Sequence, residues 1–262
     1  MKIKNILTII ISVIFVLATA LVCMLIFTVE KINVTCDFSN KEENYIEEIN
    51  QVTNKRVGGN LIFLNTQEIV DEIERNPYLY VDSIEKSFPN KVNLVVKDRK
   101  DVYLFSHDGE QYFLDENGLV LSKVNKQYQE REIITLKLAG EIVVTDLSVG
   151  NYLKINEQDR LDLAISLAKN VGLTDCVKAM SVNMVGTTNV NETGYDTKVI
   201  FETYTDVKIT IEKAEVLGEE KADKAFSAYE SAADYIKSSN TIHAYYNEVE
   251  DKVEIKWGRE IN

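Results

Sequence analysis

The chain has 262 residues, of which 45% are hydrophobic and 27% charged, and 42 acidic against 29 basic residues give a formal net charge of −13. This composition is typical of a globular protein and excludes a disordered or collagen-like chain. The acidic balance argues against nucleic acid as a partner, because phosphate binding needs clustered lysine and arginine side chains.

The first predicted element is an apolar helix. No charged residue lies between Ile6 and Phe27, and these 22 residues span roughly 33 Å as a helix, which is enough to cross a bilayer. A cleaved signal peptide is the alternative, since Ala18-Thr19-Ala20 resembles a cleavage site, but the apolar run continues for seven residues beyond it. Lys2 and Lys4 precede the run, so we expect an uncleaved anchor in the lipid bilayer with a cytoplasmic N-terminus.

Five elements are predicted over about the next seventy residues from hydrophobic periodicity, helix-capping residues and the only two prolines of the chain. They are a strand at Ile32 to Cys36, a helix around Tyr45 to Val52, a helix after Asn65 that Pro77 stops, a strand at Tyr78 to Phe88 and a strand at Val92 to Val96. Their apolar positions predict one small core, formed by Ile32, Val34, Ile46, Ile49, Ile69, Ile73, Val81, Ile84, Val92, Leu94 and Val96.

An anchor followed by strand, helix, helix, strand, strand is the order of a POTRA domain. The run between Asn76 and Arg99 reads N-P-x-x-x-V-x-S-I-x-K-x-F-P-x-K-V-x-L-x-V-x-D-R and resembles the DivIB/FtsQ family of bacterial cell-division proteins. That family usually has Arg at the position of Lys86 and Glu-Arg at Asp98-Arg99, and both differences preserve the sign of the charge.

The rest of the chain predicts a mainly antiparallel β domain with two helices. Asp108-Gly109 and Asn117-Gly118 predict tight turns within Asp101 to Ser122. The further predicted elements are strands at Ile133 to Leu138, Val177 to Val185, Lys198 to Thr203, Val207 to Glu212, Thr241 to Asn247 and Lys252 to Trp257, and helices at Asn156 to Val171 and Glu219 to Ser238.

The predicted fold class is therefore α+β. The domains expected by this resemblance are a cytoplasmic tail at 1–5, a transmembrane helix at 6–27, a POTRA domain at 28–100, a β domain at 101–257 and a C-terminal tail at 258–262.

Groups for catalysis are scarce in this sequence. The two histidines, His107 and His243, have no convincing catalytic partner, and the motifs of metalloproteases, serine hydrolases and P-loops do not occur. Acidic pairs such as Glu42-Glu43 are typical of solvated helix faces. We therefore predict no enzymatic activity, no cofactor and no metal site.

The resemblance implies a non-enzymatic, single-pass protein of the cell membrane that is enriched at the division septum. Its implied partners are FtsL and DivIC/FtsB-type proteins, through which it would scaffold and regulate septal peptidoglycan synthases. The alternative function is a membrane-anchored assembly factor of a secretion or sporulation channel, because small α/β modules recur in such machines.

The last strand is the predicted partner-binding site. Few residues follow Trp257, so we expect an open outer edge onto which a partner strand can add. In DivIB/FtsQ-like proteins the C-terminal strands receive the coiled-coil partner, although Tyr245-Tyr246-Asn247 replaces the family's Asp-Leu-Arg-like triplet. The alternatives are that Lys252 and Lys256 protect this edge, or that the aromatic residues are core. The predicted binding residues are Tyr246, Val253, Ile255 and Trp257.

Overall fold

The computed structural model describes residues 3–39, 43–124, 133–140, 142–172, 176–185, 196–232 and 241–258. The chain divides into two compact units, Met1–Arg99 and Lys100–Asn262. The first predicted element is present as helix α1, Ile3–Ile26. Judged by length and hydropathy together, no helix within the described residues qualifies as a membrane span. Membrane crossing by Ile6 to Phe27 stays a prediction.

The first unit folds as the sequence predicts. Its elements after α1 are β1 (Lys31–Asp37), α2 (Glu43–Asn54), α3 (Thr66–Ile73), β2 (Leu79–Ser87) and β3 (Lys91–Asp98). The strands form one sheet in the order β1-β3-β2, with β1 parallel and β2 antiparallel to the central β3. The predicted order of strand, helix, helix, strand, strand is confirmed.

The core of this unit contains most of the residues expected there. Ile49, Ile69 and Ile73 from the two helices pack with strand residues such as Leu94, while Val34, Val81 and Ile84 are partly buried at its margin. The prediction for Ile46 is wrong, because this side chain is 47% exposed. The apolar face of α2 instead runs through Tyr45, Ile49 and Val52, which are four and three residues apart.

Local signals explain where these elements begin and end. Asn65 caps α3, since its side chain accepts a hydrogen bond from the Gln67 N–H at 3.1 Å. The helix ends at Ile73, four residues before Pro77. Phe88 and Pro89, joined by a cis peptide bond, lie in the turn between β2 and β3.

The second unit contains eleven strands and two helices within the described residues. They are β4 (Tyr103–His107), β5 (Glu110–Leu114), β6 (Val120–Val124), β7 (Ile134–Ala139), β8 (Val144–Asp146), β9 (Lys154–Ile155), α4 (Gln158–Val171), β10 (Val177–Val185), β11 (Asp196–Thr203), β12 (Lys208–Ile211), α5 (Gly218–Ser231), β13 (Thr241–Asn247) and β14 (Lys252–Gly258). The predicted helix from Glu219 to Ser238 is too long, because α5 ends at Ser231 and the backbone of Ala232 is extended. Of the predicted tail at 258–262, Gly258 is the last residue of β14 and the rest lies outside the described residues.

Nine of these strands form one sheet in the order β14-β13-β12-β11-β10-β7-β4-β5-β6. The neighbouring pairs are antiparallel except β12–β13, β10–β7 and β4–β7, which are parallel. The domain is thus mainly antiparallel, as predicted. The small antiparallel pair β8–β9 was not predicted.

The two edges of the nine-stranded sheet differ. Beside β6, the Gly150 N–H donates to the Val120 carbonyl at 2.8 Å and the Val120 N–H donates to the Asn151 carbonyl at 2.9 Å. On the other side, β14 pairs with β13, and no further strand lies beside it in the part of the chain that the structure describes. Within the described residues, the β14 edge is thus unpaired along the whole strand, whereas the β6 edge is paired at Val120.

Candidate interaction surface

The hairpin of β13 and β14 contains all four predicted binding residues. The strands pair antiparallel, with Tyr246 opposite Val253, Ala244 opposite Ile255 and Ile242 opposite Trp257. In the connecting turn, the Asn247 side chain accepts hydrogen bonds from the N–H groups of Val249 and Glu250 at 3.0 and 3.3 Å. The turn fixes the register, and the register places the four residues together on one face of the sheet.

This face packs on the core of the second unit. Val253 is only 6% exposed, while Ile255 and Trp257 are half-buried and pack against the core cluster. Tyr246 is also half-buried, and its hydroxyl donates to the Asp251 carboxylate, which raises the pKa of Tyr246. The core alternative, which concerned the aromatic residues, thus applies in part to Tyr246 and Trp257. Val253, predicted as a binding residue, is itself buried.

The opposite face of the hairpin carries a polar network. The Tyr245 hydroxyl and the Asn247 amide both donate to Glu254, the latter at 2.9 Å, and these hydrogen bonds lower the pKa of that carboxyl. The Lys256 ammonium lies 4.5 Å from the centroid of the Tyr245 ring. Tyr245 therefore belongs to a solvated polar surface rather than to the core.

A cleft of about 410 Å³ adjoins the hairpin. One wall contains Tyr245, Tyr246 and Glu248, and the rest is formed around the segment between β12 and α5. Its other lining residues are Lys198, Glu212, Lys213, Val216 and Lys221.

Lys221 is the most unusual residue of this cleft, because it is charged in solution and completely buried here. Its ammonium donates to the carbonyls of Glu212 and Lys213 at 2.7 and 2.9 Å. Burial lowers the pKa of Lys221, while the nearby Glu215 and Glu212 act in the opposite direction. The sequence analysis missed this residue, although it lies on the buried stripe of α5 with Gly218, Ala222 and Ala225.

The histidines do not form a catalytic arrangement. His107 lies 3.4 Å from Asp108 in an exposed turn, and His243 lies 3.2 Å from the Thr241 hydroxyl and 3.8 Å from Glu212. Within the described residues, no group of three or more His, Cys, Asp or Glu side chains is placed to hold a metal ion.

Comparison with known proteins identifies the class of the first unit. A family model described as "POTRA domain, FtsQ-type" matches residues 27–99. These residues include all five elements of the three-stranded unit. Residues 27–99 of the first unit are therefore a POTRA domain of the FtsQ type.

The relatives of the chain are named cell division proteins. The chain is 32% identical over 111 residues to cell division protein DivIB of Clostridium acetobutylicum, which is 42% of each chain. It is 25% identical over 157 residues to DivIB of Clostridium botulinum, which covers 60% of this chain and 58% of the relative. The resemblance seen in the sequence is confirmed, because residues 27–99 match the FtsQ-type POTRA model and the chain is similar to DivIB proteins.

The matched segments thus span about half the length of these curated relatives. Among solved structures, the major extracytoplasmic domain of the trans isomer of DivIB from Geobacillus stearothermophilus matches 52% of this chain and 93% of its own, at 12% identity and a TM-score of 0.28.

Proposed function

We propose that this chain is a non-enzymatic cell-division protein that scaffolds and regulates septal peptidoglycan synthesis. The observation that carries the proposal is the FtsQ-type POTRA domain in a chain whose relatives are named cell division proteins. The same names favour division over the assembly of a secretion or sporulation channel.

The proposal includes a membrane anchor with a cytoplasmic N-terminus and a septal location. The uncharged run from Ile6 to Phe27 supports it, because every described apolar side chain from Ile10 to Ile26 is exposed, up to 71% at Phe15. In water such a surface would be costly, whereas acyl chains of a bilayer would cover it favourably.

FtsL and DivIC/FtsB-type proteins are the proposed partners, and the outer edge of β14 is the proposed contact. An added strand would gain backbone hydrogen bonds along Lys252–Gly258. Since Val253 is almost completely buried, the predicted binding side chains that remain partly exposed are Tyr246, Ile255 and Trp257.

A fluorescent fusion of the full chain in dividing cells tests the division role. We expect enrichment at midcell, and a fusion that carries only residues 1–27 should label the membrane uniformly. A full-length fusion that stays uniformly distributed after septation begins would contradict a role in division.

A further inference from the structure

Large apolar side chains are exposed at one end of the three-stranded sheet. Phe63 is 80% exposed, Phe88 is 62% exposed and Ile62 is 48% exposed. We call these three residues the hairpin-end patch, because Phe88 lies in the turn between β2 and β3. Exposed apolar residues that cluster in this way mark a surface that is covered by something other than water.

The hairpin-end patch is attached to the residues that directly follow α1. The Leu61 N–H donates to the Phe27 carbonyl at 2.6 Å, and the Val29 N–H donates to the Gly59 carbonyl at 2.7 Å. The rings of Phe27 and Phe88 meet edge to face with centroids 5.9 Å apart. Since α1 ends at Ile26, these contacts place the patch next to the end of the proposed anchor.

Lysine side chains surround the same end of the sheet. The Lys86 ammonium donates to the Ile62 carbonyl at 3.2 Å, and Lys31 and Lys91 are opposite each other where β1 and β3 begin. The nearby Glu30 carboxylate accepts a hydrogen bond from the Asn90 amide at 2.7 Å. In a chain of net charge −13, this is a local excess of positive charge.

We propose that the hairpin-end patch inserts into the headgroup region of an anionic bilayer, with the lysines on lipid phosphates. The inference rests on the proposed membrane anchor. Aromatic rings favour the membrane–water interface, and lysine stems can follow apolar surface while the ammonium reaches phosphate. Anionic lipids attract basic groups close to the membrane surface. The POTRA domain is then held against the membrane by two attachments, α1 and the patch.

Quenching by brominated lipid tests this contact in the full chain. The single tryptophan, Trp257, is replaced by Phe, and Phe63→Trp is introduced as the only reporter in vesicles of dibrominated phosphatidylcholine and phosphatidylglycerol. The matched control is Arg75→Trp. Arg75 is exposed and precedes β2, so it lies at the opposite end of that strand from Phe88, which follows β2. These two ends are roughly 27 Å apart at ~3.4 Å per residue.

We expect quenching several-fold stronger at position 63 than at position 75, together with a blue-shifted emission. The quenching at position 63 should weaken when phosphatidylglycerol is replaced by a zwitterionic lipid. Unchanged quenching would overturn the role of the lysines. Phe88→Trp is a second reporter of the same patch, so the test does not depend on one variant.

Flotation of the same vesicles separates the two proposals. A chain that floats after a carbonate wash but shows equal, weak quenching at positions 63 and 75 overturns the lipid contact and leaves the anchor standing. In that case a solvent-like emission at position 63 would show that the patch remains in water. A chain that does not float overturns both.

Discussion

The interiors of the two units are built differently. Among the described residues, the POTRA domain buries Thr53 as its only polar side chain, whereas the second unit buries Asp115, Arg160, Lys221 and several threonines. Asp115 accepts hydrogen bonds from the N–H groups of Asn117 and Leu119, and so closes the turn between β5 and β6. The Lys221 ammonium also pairs with the backbone, because it donates hydrogen bonds to two carbonyls that directly follow β12.

The difference shows which interactions each unit depends on. The small POTRA core depends on apolar packing between adjacent segments. The larger sheet also needs buried polar groups, because its turns carry backbone groups that are removed from water and must be paired. Loss of a methyl group should therefore damage the first unit most, and loss of a hydrogen-bond donor should damage the second.

The largest expected effect is in the POTRA core. Ile73 is completely buried, so Ile73→Ala should cost roughly 2 to 5 kcal/mol of unfolding free energy through lost burial and the remaining cavity. Hydrogen exchange of the full chain, read by mass spectrometry in peptides of β3, measures the loss. Ile46→Ala on exposed α2 surface is the control, and equal exchange in the two variants would contradict the assigned core.

In the second unit, Lys221→Met should cost about 2 to 3 kcal/mol, because it removes a buried ammonium that donates to two partly buried carbonyls. Urea unfolding followed by Trp257 fluorescence reports this unit, since the chain has one tryptophan. Lys224→Met is the control on the exposed face of the same helix. Similar midpoints for both variants would show that the carbonyls do not need Lys221.

Partner binding should depend on the second unit and not on the POTRA domain. Trp257→Ala should weaken binding of the full chain to the extracytoplasmic segment of a DivIC/FtsB-type partner by about 2 kcal/mol, or roughly thirty-fold in Kd. Two controls are Lys123→Ala on β6, at the opposite edge of the nine-stranded sheet, and Phe63→Ser in the POTRA domain. Unchanged affinity of a folded Trp257→Ala chain would place the interface elsewhere.

The smallest expected effect is a pH dependence of the contribution that Lys221 makes to the free energy of unfolding. Because the folded pKa of Lys221 is below its ordinary value of 10.5, the unfolded chain binds more protons between those two pKa values. The stability of the native chain should therefore rise relative to Lys221→Met as the pH increases through that interval. Urea unfolding of both proteins from pH 8 upward measures the difference, and a constant or narrowing difference would contradict the lowered pKa.

Much of the POTRA fold could be predicted because its signals are local. Asn65, Pro77 and the Phe88-Pro89 turn each mark the limit of an element within a few residues. The same applies to single elements of the second unit, such as β10, predicted and observed at Val177–Val185, and Gly172, which ends α4 with a positive φ.

The neighbours of each strand could not be predicted. Alternation shows which face of β7 is buried, but it carries no information that β7 inserts between β4 and β10 in parallel. The same limit applies to Val253, whose apolar character fits a binding anchor and a core residue equally well until β13 and α5 are placed around it. Lys221 was missed for a different reason, since a lysine among apolar helix positions does not by itself show that its ammonium is buried.

The parallel pairing of β1 with β3 has a mechanical consequence. Seven residue pairs join the two strands, from Lys31 with Lys91 to Asp37 with Lys97. Tension between α1 and the second unit would pull β1 from its first residue and β3 from its last, in opposite directions along neighbouring strands. All seven pairs would then bear the load together in shear instead of opening one after another. Forced unfolding is governed by the unfolding rate, so shear loading of this pair should slow the unfolding of the POTRA domain under tension.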